Sequence, residues 1–223
     1  MLPAEELVEW LLSLVPWMAS ALQIPSRRGV IVLPLDEEFP VDMSLEGEAL
    51  AEDFLAFVVE HVGMTDRIFT VRVGDADATV ERGHPLPIPV VPSTLADPSR
   101  LVAVLARGVA HYRAQDARSP MPGPPSMHEA MIDVVTVFLG FGVFLANACR
   151  VLERGFAVRR LGELGPIDIA YALALRTRLV GVDPETITPH LRENPRAFFR
   201  AAWRDLDTRD LTMLDAKASA YRS

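Results

Sequence analysis

The chain has 223 residues, of which 50% are hydrophobic, 23% charged and 7% aromatic, a composition that excludes a disordered chain and suits one domain with a substantial core. Acidic residues (30) outnumber basic ones (22) for a formal charge of −8, and the acidic excess falls entirely in residues 1–100, which argues against a nucleic-acid binder. Cys149 is the only cysteine, so neither an internal disulfide nor a cysteine-rich zinc site can form, and a reducing compartment, the cytoplasm, is expected.

In chain order, residues 1–24 read as a helical arm. Leu7, Trp10, Leu11, Leu14, Trp17 and Met18 recur at helical spacing, Pro16 is expected to kink or end the helix, and Glu5, Glu6 and Glu9 stand where a signal peptide needs positive charge. Such a helix either packs on the domain or docks elsewhere. The β-branched run at residues 29–35 reads as a strand, followed by an acidic loop containing Asp36, Glu37 and Glu38. Residues 45–62 read as a helix stopped by Gly63, residues 67–73 as a strand with residues 78–82 as its hairpin partner, and residues 85–92 as extended chain, because prolines at 85, 87, 89 and 92 forbid a helix.

Asp97-Pro98 is a cap followed by proline at the first helical position, and opens a helix to about Gln115. A proline-rich stretch at 119–126 precedes a long helix expected over 127–153. Its uncharged run, residues 134–149, is shorter than the roughly 20 residues a membrane span needs and reads as a buried central helix. Gly140 and Gly142 within it are expected to admit a close neighbour. Helices are further expected over 167–180 and 195–206, with a polar tail over 207–223. The fold class is therefore α+β, with a small mixed sheet in the N-terminal half packed against a helical core and a predominantly helical C-terminal half.

One neighbourhood gathers ligand-type side chains: His111 near the end of one helix, and His128, Glu129 and Asp133 at the start of the next. Glu129 and Asp133, four residues apart, share a helix face. His61, His84 and His190 are scattered and read as isolated surface or capping residues, and Cys149 reads as core.

The segment Leu105-Ala-Arg-Gly-Val-Ala-His111-Tyr resembles the active-site helix of the zincin metallopeptidases, and Glu129-Ala-Met-Ile-Asp133 resembles their Glu-x-x-x-Asp element. In that pattern, His-Glu-x-x-His supplies two zinc ligands and a general base, because histidines four apart on a helix can reach one metal. A closer resemblance, over residues 29–205, is to uncharacterised bacterial zincin-like proteins. It is carried by Leu33-Pro-Leu-Asp-Glu-Glu-Phe-Pro40, by residues 104–113, and above all by Asp133-Val-Val-Thr-Val-Phe-Leu-Gly-Phe-Gly-Val-Phe-Leu-Ala-Asn147. The resemblance implies a single zincin-like domain with a remnant metal site of His111, Glu129 and Asp133.

The departures decide the expected function. Arg107 stands where the family has its first zinc histidine, and Gly108 where it has the catalytic glutamate. His128 is a possible substitute ligand, although helix neighbours point about 100° apart. Arg107, one turn before His111, is expected to set its guanidinium against Glu129 and Asp133 in place of a metal. The expected protein is thus a catalytically inactive zincin-like module that holds no cofactor and binds another protein, with no nucleic acid and no membrane span. The alternatives are a zinc-dependent hydrolase with a non-standard ligand set, and a dedicated inhibitor or assembly subunit that recognises its partner through the acidic N-terminal half.

Overall fold

The structure is a computed structural model that describes residues 1–24, 30–34, 41–42, 44–74, 85–152 and 158–212, apart from the side chains of 150–152 and 158–160. Its helices are α1 (Glu5–Ala21), α2 (Gly47–Val62), α3 (Pro98–Gln115), α4 (His128–Thr136), α5 (Gly142–Ala148), α6 (Pro166–Val180), α7 (Pro184–Ile187) and α8 (Glu193–Thr208). Its strands are β1 (Phe69–Val73), β2 (Leu86–Val90), β3 (Arg150–Leu152) and β4 (Val158–Arg160). The α+β class expected from the sequence is the one observed.

The helix ends follow the local chemistry. The Asp97 carboxylate accepts the Arg100 N–H at 3.1 Å and so satisfies an otherwise orphaned donor of α3, and Gly63 ends α2 at φ 71°, a conformation that favours glycine. Of the two outcomes expected at Pro16, an end is excluded, because α1 runs on to Ala21 within the expected helical arm. This helix is part of the core: Val8, Leu11, Leu14, Val15 and Met18 are buried in the same cluster as α4, α6 and α8. Its first turn is tied to the chain's far end, because Arg209 donates to both Glu5 oxygens (2.6 and 2.8 Å) and to Asp205 (2.6 Å). The tail expected from residue 207 is therefore held at its root, and residues 213–223 lie outside the described residues.

Among the described residues, the N-terminal half holds a small two-stranded sheet. β1 pairs with β2 in a parallel two-stranded sheet, with Val71 opposite Ile88; the hairpin partner expected at 78–82 lies outside the described residues. The proline-rich strand works because of register. Leu86 donates to the Ile68 carbonyl and Gly74 to the Val90 carbonyl, so residues 86, 88 and 90 face β1 while Pro87 and Pro89 point their nitrogens away, where no donor is needed. The other edge is also occupied: Glu52 of α2 accepts the outward Val71 N–H at 2.7 Å.

Residues 30–34 form no strand where one is expected over 29–35; Gly29, Leu35 and the acidic loop at 36–38 lie outside the described residues. Val32 instead donates to the Gly140 carbonyl at 2.9 Å. That carbonyl is freed because the long central helix is broken. Residues 137–141 form a π-helical turn with Gly140 at φ 109°, and the helix ends at Ala148 rather than near residue 153, its continuation becoming β3 of an antiparallel hairpin with β4. Close approach accounts for both glycines: a Cβ on Gly140 would lie 2.5 Å from the Val30 carbonyl oxygen, and one on Gly142 would lie 2.8 Å from Leu173 Cδ1 of α6. The run Pro125–Ala148 is long and apolar enough for a membrane span, but 89% of its apolar window is buried inside the structure, which is the environment of a core helix.

His61 sits at this break. Its Nε2 lies 3.1 Å from the Leu139 carbonyl and its ring packs edge-on to Phe141 at 5.1 Å, so it is a half-buried cap for the break instead of an isolated surface group. Burial holds both His61 and His111 below the ordinary histidine value. The folded state thus favours the neutral rings, whereas the unfolded chain takes up protons near 6.5. Their contribution to stability is complete above that value and is lost as pH falls from it through the lower folded values. Denaturant midpoints are expected to drop between about pH 7 and about pH 5. His61→Gln, which keeps an N–H for Leu139, should flatten that slope; an unchanged slope would show that His61 does not carry it.

Candidate functional site

The site forms where α3 crosses α4. Arg107, His111 and Gln115 recur every four residues and make one stripe along α3, while Glu129 and Asp133 make the facing stripe on α4. Arg107 Nε donates to Asp133 Oδ1 at 2.7 Å and Nη2 donates to Glu129 Oε2 at 2.6 Å, so one guanidinium bridges the two carboxylates. The Asp133 side chain is fully buried (0% exposed), Arg107 is largely so at 21%, and Glu129 is open to solvent at 55%.

The second Asp133 oxygen is satisfied by the backbone. Oδ2 accepts the Glu163 N–H at 2.7 Å and the Leu164 N–H at 2.9 Å, in the turn between β4 and α6. That turn requires Gly162, which has φ 81° and whose notional Cβ would fall 2.4 Å from Asp133 Oδ1. These partners could not be read from the region around His111. The only signal was the glycine pair at 162 and 165, which marks a tight turn without saying what it encloses.

Electrostatics follow from this geometry. Burial lowers the Arg107 guanidinium, but the charges of Asp133 and Glu129 and its hydrogen bonds to them outweigh it, and the net direction is upward. Burial is the largest influence on Asp133 and pushes its carboxyl above the ordinary range, with Arg107 and the Leu164 and Glu163 amides pulling the other way. His111 is half-buried and lies near both Glu129 and Arg107, whose opposing charges partly cancel at its ring. Its Nε2 is 2.7 Å from Gln115 Nε2, so when the amide donates, that nitrogen's lone pair is already used.

His128 stands half-buried at the head of α4. Among the described residues, no group of three or more His, Cys, Asp or Glu side chains is placed to hold a metal ion. The donor set does not fit zinc in a physical sense as well: a permanently charged guanidinium lies between the two carboxylates, where a second cation would be repelled. Gly108 adds a steric point. A Cβ there would lie 2.6 Å from Ile88 Cγ2 and within 3.3 Å of two more atoms of that side chain, which is 1% exposed. β2 thus packs directly over Gly108.

Of the remaining candidates, Cys149 is buried and donates to the Ala146 carbonyl, and Asn147 bridges to the chain around His190 by donating to its carbonyl and accepting from the Arg192 N–H. His84 lies outside the described residues. Comparison of the chain with family models, with curated proteins and with solved structures finds no match.

Proposed function

We propose that this chain is a catalytically inactive zincin-like protein, a cytoplasmic binding, regulatory or structural module in which the Arg107 guanidinium takes the place of a catalytic metal. The observation that carries this reading is the bridge from Arg107 to Glu129 and Asp133, at 2.6 and 2.7 Å. A buried carboxylate needs a counter-charge, and a planar fork of donors supplies one without a metal. The packing of Ile88 over Gly108 supports the same reading, because it closes the space a general base would use.

Hydrolysis needs a polarised water and a group to take its proton. Arg107 can do neither: it carries no lone pair and stays protonated at physiological pH. The partner we infer is another protein. Strand addition to the β1–β2 sheet is disfavoured on both sides, by Pro87 and Pro89 on one edge and by Glu52 on the other, so the partner would dock on helical faces.

Peptide hydrolysis tests the reading. Purified protein supplied with zinc is expected to cleave a mixed peptide library no faster than its His111→Ala and Glu129→Ala variants. Turnover that is abolished by a chelator and by both substitutions would overturn it.

A further inference from the structure

We propose that the outer face of α8 docks on the outer face of α2 in a second copy of this chain, joining copies head to tail through complementary charge. The packing order of the helices sets this up. α2 packs on α3, α3 on α4 and α5, α5 on α6, and α6 on α8. The two helices are therefore the ends of one series, and a single copy cannot bring their outer faces together. Neither face includes the Arg107 bridge, so the proposal stands or falls independently of the function proposed above.

Each helix buries one side and opens the other to solvent. α2 buries Leu50, Phe54, Leu55 and Val58 and exposes Glu48, Ala56 and Glu60. Residues 29–66 contain ten acids and no lysine or arginine, so nothing basic offsets that face within its own segment. α8 buries Pro195, Phe199, Ala202 and Leu206 and exposes Arg200 and Arg204, with Arg192 exposed at its cap. No acid interrupts residues 194–204. The same polarity holds over the whole chain, which carries −11 in residues 1–100 and +3 in residues 101–223. Head-to-tail contact is thus the arrangement in which copies of a net-acidic chain attract one another.

The spacing of the charges matches as well. Glu48, Glu52 and Glu60 fall on one row of α2 at intervals of four residues, as do Arg192, Arg200 and Arg204 on α8 and its cap. Laid antiparallel, Glu48 meets Arg204, Glu52 meets Arg200 and Glu60 meets Arg192, each step rising about 6 Å. Within one copy these arginines are weakly engaged. Arg200 reaches Glu185 only at 3.6 Å and Arg192 reaches Asp97 only at 3.7 Å, solvent-accessible pairs of the kind that contributes least. Glu52 spends Oε1 on the Thr70 hydroxyl and the Val71 N–H, which leaves Oε2 for a partner.

Light scattering of the full chain, at up to about 0.5 mM protein in about 50 mM salt, tests the proposal. The average mass is expected to rise with concentration above that of one chain, and to return to it in about 0.5 M salt. Arg200→Glu with Arg204→Glu, and separately Glu48→Arg with Glu60→Arg, are each expected to weaken association about tenfold or more. An equimolar mixture of the two variants should regain it, because each presents the charge the other now needs; misfolding cannot produce that recovery. If either pair of reversals does not fold, Arg200→Gln with Arg204→Gln and Glu48→Gln with Glu60→Gln carry the test. A single-chain mass at every concentration, association that high salt leaves unchanged, association indifferent to either pair, or no recovery on mixing would overturn the proposal.

Discussion

Replacing Arg107 by Met is expected to destabilise the protein by about 3 kcal/mol, the lower end of the cost of removing one partner from a buried ion pair. For a chain of this size that lowers the melting temperature by roughly 6–12 °C. The reason lies in Asp133, which is fully buried and would keep two backbone donors but lose its one charged partner among the described residues. Burial would then raise the Asp133 carboxyl further, and the folded state would bind its proton more readily than the unfolded chain. The deficit of the variant should therefore shrink as pH falls. The two positions should also couple: Asp133→Asn is expected to cost about 1–3 kcal/mol less in the Arg107→Met background than alone. Additive costs would show that the bridge contributes little.

The second large effect is a gain of metal binding. Arg107→His would place two histidines four residues apart on α3, facing Glu129, and would remove the cation between the carboxylates. This variant is expected to bind about one zinc per chain with micromolar or better affinity, because three protein ligands and a water complete a tetrahedral site. It would still lack the general base, so zinc binding without hydrolysis is the expected outcome. Equilibrium dialysis showing no zinc uptake by a folded Arg107→His variant would mean that Arg107 does not occupy the metal position.

The local parts of the fold were legible because their causes are local. Asp97-Pro98 and Gly63 mark helix ends through caps and backbone preference, and the spacing of 107, 111, 129 and 133 alone puts the candidate groups on two helix stripes. What failed depends on partners distant in sequence. Residues 30–34 have a strand's composition, but the Gly140 carbonyl takes the Val32 N–H and no strand forms. Uninterrupted hydrophobicity suggested an unbroken helix through 153, whereas the crowding of Val30 and His61 against Gly140 fixes the break there. Residues 85–92 read as extended chain, yet nothing local revealed that the Pro87 and Pro89 nitrogens face away from β1 and permit a parallel pair. The Asp133 cage was hidden for the same reason, since its amide donors come from a turn thirty residues downstream.

The zinc content of the unsubstituted protein, purified without chelators and dialysed against excess zinc, tests metal replacement most directly. Well under one zinc per chain is expected, since a guanidinium already bridges Asp133 and Glu129. One tightly held zinc per chain, lost on His111→Ala and on Glu129→Ala, would contradict it.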